Sequence, residues 1–253
     1  MPSFKVTVAY DGTDYVGWQR QANGVSIQGL IEDALRTLDG RDVNVAGAGR
    51  TDAGVHALGQ VAGFTLAREM APGALVRALN AHLPPDVRVV TAEEVPPAFH
   101  PRFSASRKTY RYRLCHDEVL SPFERRYAWH LPGPLDVDAM RAAASCLVGR
   151  HDFAAFQGAG SAVTNTEREV FESAIRNPQS AILCYEVSGS GFLRHMVRTI
   201  VGSLAEIGRG RRPAEWLGEV LASRSRLTAG PTAPPEGLFL VRVEYADALA
   251  AGS

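Results

Sequence analysis

Ser26 to Gly40 is the stretch of this sequence that leaves the fewest options open. Ile27, Leu30, Ile31, Ala34, Leu35 and Leu38 recur at helical spacing. Ser26 stands where an N-cap accepts from first-turn amides, and Gly40 where a helix ends in left-handed backbone. Such a helix has one apolar stripe and must bury it against another element. Just before it, Phe4 to Tyr10 alternate apolar and polar residues as a strand does. Strand-like runs follow at Val43 to Ala46 and Gln60 to Leu66. A helix then begins at Pro72, buries Leu75, Val76 and Leu79, and stops at Pro84-Pro85. A strand from Val87 to about Val95 completes the unit. Strand, helix, strand, strand, helix, strand is the split βαβ order.

The same order recurs after Phe103. Residues 107 to 115 read as a strand, Asp136 caps a helix running to about Val148, and strands follow at 168 to 176 and 181 to 188. Helices are expected at 192 to 207 and 213 to 222, and a last strand at 237 to 245. Residues 157 to 167 lack periodicity and read as a loop. The expected fold is therefore α+β: two similar split-βαβ, ferredoxin-like halves at 1–103 and 104–253. Together they would form a mixed, mainly antiparallel sheet flanked by helices, with a central cleft where a ligand is expected. The first half carries the candidate catalytic loop and the second completes the cleft.

Charge and cysteine content narrow the function classes. The 253 residues carry 27 cationic and 27 acidic side chains, a formal net charge of zero, which argues against a generic polyanion binder. Any nucleic-acid site must then be local. Arg102, Arg107, Lys108, Arg111 and Arg113 crowd together, Arg209, Arg211 and Arg212 form a second cluster, and either group suits phosphate contacts or a solvated face. Cys115, Cys146 and Cys184 are far apart and lack zinc-ligand spacing, so they read as reduced, partly buried thiols. No run approaches the ~18 apolar residues of a membrane span, and Met1 leads straight into a strand, so a cytoplasmic protein without membrane attachment is expected.

Gly47 to Ala57, GAGRTDAGVHA, places Asp52 among glycines in a connection between strands. The glycines are not spaced as a dinucleotide fingerprint, and no G-K-[ST] follows to make a phosphate loop. Taken alone, the stretch is a tight turn and Asp52 a turn former. It resembles, however, the catalytic motif of the tRNA pseudouridine synthase A (TruA) family. Four more segments are similar to that family in the same order: YDGTDYVGWQRQ at 10 to 21, HPRFSASRKTYRYRL at 100 to 114, GSGFLRHMVRTIVGSL at 189 to 204 and TAPPEGL at 232 to 238. The resemblance implies a cofactor-free, metal-free isomerase. It would convert uridine to pseudouridine at positions 38, 39 and 40 in the anticodon stem-loop of its tRNA substrate, as a homodimer. By the same matching Asp52 is the nucleophile, Tyr110 the uracil-contacting tyrosine, and Arg50 and Arg198 the active-site arginines.

That chemistry suits these residue types. The reaction breaks the bond from ribose C1′ to N1 and makes one to C5, so a nucleophile that attacks and later leaves suffices. Whether the carboxylate attacks C1′ or uracil C6 stays open. An adjacent guanidinium favours the ionised carboxylate, and Arg198, with Arg194 four residues before it, is expected on one helical face while Phe192, Met196, Ile200 and Leu204 form the core stripe. A paired uracil must leave its stack, costing a few kcal/mol, and a tyrosine face returns ~1–3 kcal/mol. Tyr110 and Tyr112 share a strand face; the motif selects Tyr110, whereas periodicity cannot. Arg50 could fill the vacated stack or hold a phosphate. His56 and Trp18 are read as structural. Two other readings compete: a glycosidase-like hydrolase that releases base, which usually needs a second carboxylate, and a tRNA-binding module without chemistry.

Overall fold

The structure, a computed structural model, describes residues 1–160, 163–176 and 181–246. Alternation at the amino terminus becomes strand β1 (Ser3–Tyr10), with Phe4, Val6, Val8 and Tyr10 buried. Helix α1 (Ile27–Asp39) follows with both expected caps: the Ser26 hydroxyl accepts from the Gly29 amide at 3.2 Å, and Gly40 closes the helix at φ 73°. A cap of the first kind is worth about 1 kcal/mol. Strands β2 (Ala46–Gly47) and β3 (His56–Thr65), helix α2 (Pro72–His82) and strand β4 (Val87–Val95) complete the first set. In α2, Pro72 sits in the first turn, where its missing amide costs nothing, and Leu75 and Leu79 are buried. β1 lies between β4 and β3, antiparallel to both, and β2 pairs with β3. The order β4-β1-β3-β2 is that of a split βαβ sheet.

The second set comprises β5 (Ala105–Cys115), β6 (Trp129–His130), α3 (Val137–Ser145), β7 (Gly149–Asp152), β8 (Glu167–Arg176), β9 (Ile182–Gly189), α4 (Met196–Gly208), α5 (Trp216–Ser223) and β10 (Leu238–Tyr245). β9 is antiparallel to both β5 and β8, β7 extends the sheet beyond β8, and β6 runs parallel to the end of β5. The chain order strand, helix, strand, strand, helix, strand thus recurs as β5, α3, β8, β9, α4, β10. By their contacts the residues gather into two compact units, Met1–Ser106 with the chain from Phe239 on, and Arg107–Leu238. β10 enters the first by running parallel to β3, with Phe239 beside His56 and Leu240 beside Ala57. Division by chain order, 1–103 and 104–253, and division by contacts therefore differ in where the last strand falls.

Several boundaries depart from the sequence reading. Of Val43 to Ala46 only Ala46 joins a ladder; the backbone at Val45 is met by side chains of α1, Gln28 donating to its carbonyl at 3.0 Å and Glu32 accepting from its amide. β3 begins at His56, four residues before Gln60, so the end of the Asp52 motif is already strand. α3 stops at Ser145, three residues short of Val148, before Gly149 enters β7 at φ 110°. α4 begins at Met196 instead of residue 192, because His195 adopts φ 60°. Arg194 and Phe192 therefore precede the helix, and Arg194 does not share a helical face with Arg198. Met196, Ile200 and Leu204 are buried as expected, while Phe192 is half-buried. Of the 157–167 loop, residues 161 and 162 lie outside the described residues, and Glu167 is already part of β8. The three cysteines are free, Cys115 buried and the other two half-buried.

Candidate active site

Asp52 stands on the connection between β2 and β3, and the segment after β1 fixes that connection at successive points. Tyr10 hydroxyl lies 2.8 Å from Thr51 Oγ1, and the Trp18 amide donates to Thr51 O at 3.1 Å. The Gly54 amide donates to Tyr15 O at 3.3 Å, and Gln60, fully buried, donates from its amide to Gly49 O at 2.9 Å. Two glycines of the YDGTDYVGW segment let the backbones come this close. A Cβ on Gly12 would lie 2.0 Å from Val55 O, and one on Gly17, which holds φ 103°, would lie 2.4 Å from Thr51 O. Among the glycines of the Asp52 motif itself, Gly54 turns the chain at φ 77° and Gly47 lies against the Trp18 indole. The Asp52 residue is half-buried and Arg50 is exposed.

His56, only 1 % exposed, closes the connection. Its Nδ1 lies 3.0 Å from the Gly12 amide, which donates to it, and 3.1 Å from Asp11 Oδ1, while its ring stacks on Phe239 at 4.6 Å. The histidine is thus a structural tie between the two motif segments, as is Trp18, which is buried and tilted against Tyr10. Burial pushes the Tyr10 phenol up to about 12, against the pull of its hydrogen bonds to Thr51 and Gln60.

In the other unit Tyr110 lies on β5, 8 % exposed, with its ring edge-to-face with Phe192 at 5.0 Å. Tyr112, two residues on, is fully buried and donates to Pro234 O at 2.8 Å. Arg198, on α4, donates from Nε to Ala233 O at 2.7 Å, and the Ala233 amide returns a bond to Arg198 O at 3.0 Å. Arg226 and Ser203 hold the same strap further back, through Gly230 O, Thr232 Oγ1 and the Gly230 amide. The segments 189–204 and 232–238 therefore pack on each other, just as 10–21 and 47–57 do. Of the four residues singled out from sequence, Asp52 and Arg50 belong to one unit, Tyr110 and Arg198 to the other.

The proposed basic surface divides when read on the strand. Lys108 is buried on the face of β5 that carries Tyr110, whereas Arg107, Arg111 and Arg113 alternate onto the other. Arg111 and Arg176 both donate to Glu186; burial opposes its ionisation, but their guanidinium groups hold its carboxyl below the usual range. Arg113 pairs with Glu124 at 2.8 Å, and the Arg107 guanidinium lies over the Phe171 ring at 4.8 Å. In the second cluster Arg211 pairs with Glu206 and Arg212 covers Trp216. Much of the crowded charge is thus already matched within the protein. For Arg111 and Arg113 sequence spacing gave no sign of this, because Glu186 comes from another strand and Glu124 from a loop.

Among the described residues no group of three or more His, Cys, Asp and Glu side chains is placed to hold a metal ion, and no helix is long and apolar enough to cross a membrane. Two open depressions, about 670 Å³ beside Met1, Glu69 and Met70 and about 360 Å³ beside His151, Asp152 and Arg224, include none of the four candidate residues.

Comparison with known proteins adds an independent line. The profile of a family described as tRNA pseudouridine synthase matches residues 6–104 and 143–246. A tRNA pseudouridine synthase A of Myxococcus xanthus is 51 % identical over 247 residues, covering 98 % of this chain and 93 % of its own. One of Moorella thermoacetica is 48 % identical, covering 97 % of this chain and 100 % of its own. A solved Cbf5-Nop10-Gar1 complex aligns with 79 % of this chain and 43 % of its own at 11 % identity, with a TM-score of 0.36, below the level that shows a common fold.

Proposed function

This chain belongs to the tRNA pseudouridine synthase family, and on that premise we propose that it isomerises uridine at positions 38, 39 and 40 of the tRNA anticodon stem-loop with Asp52 as nucleophile. The observation that carries the reading is the presentation of Asp52. A half-buried carboxylate stands on a connection whose neighbours Thr51, Gly54, Val55 and His56 are each held to the segment Tyr10 to Trp18. A nucleophile must be reachable and yet fixed, since placing the reacting atoms in advance is worth several kcal/mol of barrier.

In this reading the target uridine is extruded from its stem and its uracil lies against Tyr110, which Phe192 supports from the edge. The Asp52 carboxylate adds either to C1′, displacing the uracil anion, or to C6 of the ring, after which the bond from N1 to C1′ breaks. The uracil then turns so that C5 meets C1′, the new carbon–carbon bond forms, and the carboxylate leaves. The C5 hydrogen departs as a proton and N1 gains one, so nothing is oxidised, hydrolysed or consumed. Arg198, whose Nε donates to the Ala233 carbonyl, is assigned to the ionised carboxylate and to the substrate. Arg50, exposed two residues before Asp52, is assigned either to the stack vacated by the extruded base or to a backbone phosphate. The protein works in the cytoplasm as a homodimer, and the chemistry calls for no cofactor.

The test is tritium release from tRNA labelled at uracil C5, comparing the native protein with Asp52→Asn. Release by the native enzyme alone is expected, because forming the C5 bond expels that hydrogen. Equal release by both proteins would remove Asp52 from the mechanism, and free uracil in place of pseudouridine would select hydrolysis.

A further inference from the structure

The turn His100–Phe103 has no part in the chemistry above, yet it is built with unusual care for a surface loop. The His100 amide donates to Ser104 Oγ at 3.1 Å, and the Ser104 amide returns to His100 O at 2.9 Å. His100 Nδ1 accepts from the amides of Arg102 and Phe103. Pro101 is buried against Gly63 of β3, and its carbonyl accepts from the Tyr245 hydroxyl of β10 at 2.8 Å. What this scaffold holds out is an apolar ring. Phe103 is 76 % exposed, backed by the His100 ring at 4.4 Å between centroids, with the Arg102 guanidinium 5.6 Å from its centre. Arg102 is itself exposed and has no ion pair among the described residues, unlike Arg111 and Arg113.

A rigid turn that keeps a large aromatic face in water leaves apolar area uncovered in the isolated protein, so the chain gains from the arrangement only when something lies on the ring. The partner must also suit an unmatched guanidinium beside it. A nucleotide meets both conditions at once, since its base presents a π-face of the size of the ring and its phosphate takes the forked donors of arginine. We propose that Phe103 and Arg102 form a second RNA contact, in which an unstacked base of the tRNA lies on Phe103 and its backbone phosphate meets Arg102. Pro101 rests on Gly63, seven residues along β3 from His56, or roughly 20 Å at the rise of a strand. The contact is therefore remote from the reacting uridine and serves affinity and register on the tRNA.

This inference rests on tRNA being the substrate, and the experiment separates the two. Full-length native protein, Phe103→Ala, Phe103→Trp, Arg102→Ala and, as a control, Leu227→Ala, exposed on the other unit, are compared for affinity to an unmodified tRNA transcript, for mass in solution and for thermal stability. Loss of one stacked base predicts a Kd weaker by about 5- to 100-fold for Phe103→Ala, with native mass and melting temperature. Tryptophan at the position restores binding, and the control binds as the native protein does. Arg102→Ala lowers the slope of log Kd against log salt by about one. Native affinity in Phe103→Ala overturns the proposal, as does an affinity loss that tracks a change of oligomeric mass, which would make the ring a contact between copies of the chain. Pseudouridine formation by the native protein is scored separately, so failure of the enzymatic reading shows there and not in the Phe103 comparison.

Discussion

Replacing Gly12 by alanine adds one methyl group, and the structure fixes where it goes. The new Cβ would sit 2.0 Å from Val55 O and 2.6 Å from Val55 C, about 1.4 Å short of ordinary contact at 3.4 Å. The obstacle is backbone, so no rotamer change relieves it. Either residues 11–13 retreat or Val55 is driven away, and overpacking of this kind costs about 1–3 kcal/mol. For a chain of this length that is a fall in melting temperature of about 2–12 °C. The same displacement stretches the 3.0 Å bond from the Gly12 amide to His56 beyond use and pulls on Val55, whose amide donates to Asp52 O at 3.2 Å. A shift of about 1 Å in a positioned group costs on the order of 100-fold in rate. Single-turnover tritium release with enzyme in excess measures that rate free of substrate affinity, and circular dichroism with thermal melting follows the fold. A variant that melts a few degrees lower, binds tRNA and releases tritium about 100-fold more slowly is the expected result. Release within twofold of native from a folded Gly12→Ala protein would refute the idea that the Tyr10 to Trp18 segment sets the position of Asp52.

Other perturbations test separate contacts. Tyr10→Phe leaves Thr51 Oγ1 without its 2.8 Å partner, so a loss of about 1–3 kcal/mol and slower turnover are expected. Because burial raises the Tyr10 phenol from its ordinary value of 10.0 to about 12, the native form holds its proton more tightly than the unfolded one. That contribution, of order 3 kcal/mol, is complete below about pH 10 and fades as the pH climbs towards about 12; urea midpoints taken across that window should fall less steeply in Tyr10→Phe than in the native protein. Arg198→Met and Tyr112→Phe release the adjacent carbonyls of Ala233 and Pro234, each by about 1–3 kcal/mol. Since both hold one strap, the double variant should lose less than the sum of the singles when melting is compared. Glu186→Gln weakens the shared anchor of Arg111 and Arg176, worth about 1 kcal/mol at a partly exposed site. With its carboxyl held below the usual range, the native advantage over this variant is present at neutral pH and vanishes as the solution is acidified.

Much of the fold is legible because it is local. Ser26, the Ile27 to Leu38 stripe and Gly40 decide α1 within one run of chain, and Pro72 with Leu75 and Leu79 decides the start and face of α2, since caps and periodicity act over a few residues. The alternation of β1 and the repeated strand–helix order are readable for the same reason. Elements closed by non-local partners are not. Val45 is held by Gln28 and Glu32 and forms no strand, and α4 starts four residues late because His195 takes a left-handed backbone beside the loop at Gly158, where a Cβ would lie 2.5 Å from its ring.

The candidate site divides in the same way. Motif resemblance picks out Asp52, Arg50, Tyr110 and Arg198, and composition shows that any RNA contact must be local, because the chain has no net charge to attract phosphate at a distance. Sequence alone also places glycines at 12 and 17, yet nothing in their spacing says that they lie against Val55 and Thr51, since that contact joins segments some forty residues apart. Only folding decides which arginines are matched: Glu186 and Glu124 neutralise Arg111 and Arg113 from other parts of the chain, while Arg102, beside an exposed Phe103, has no ion pair among the described residues. Residue types and their order set what chemistry is available, whereas close approach between distant segments, which depends on packing at ångström scale, sets where that chemistry stands.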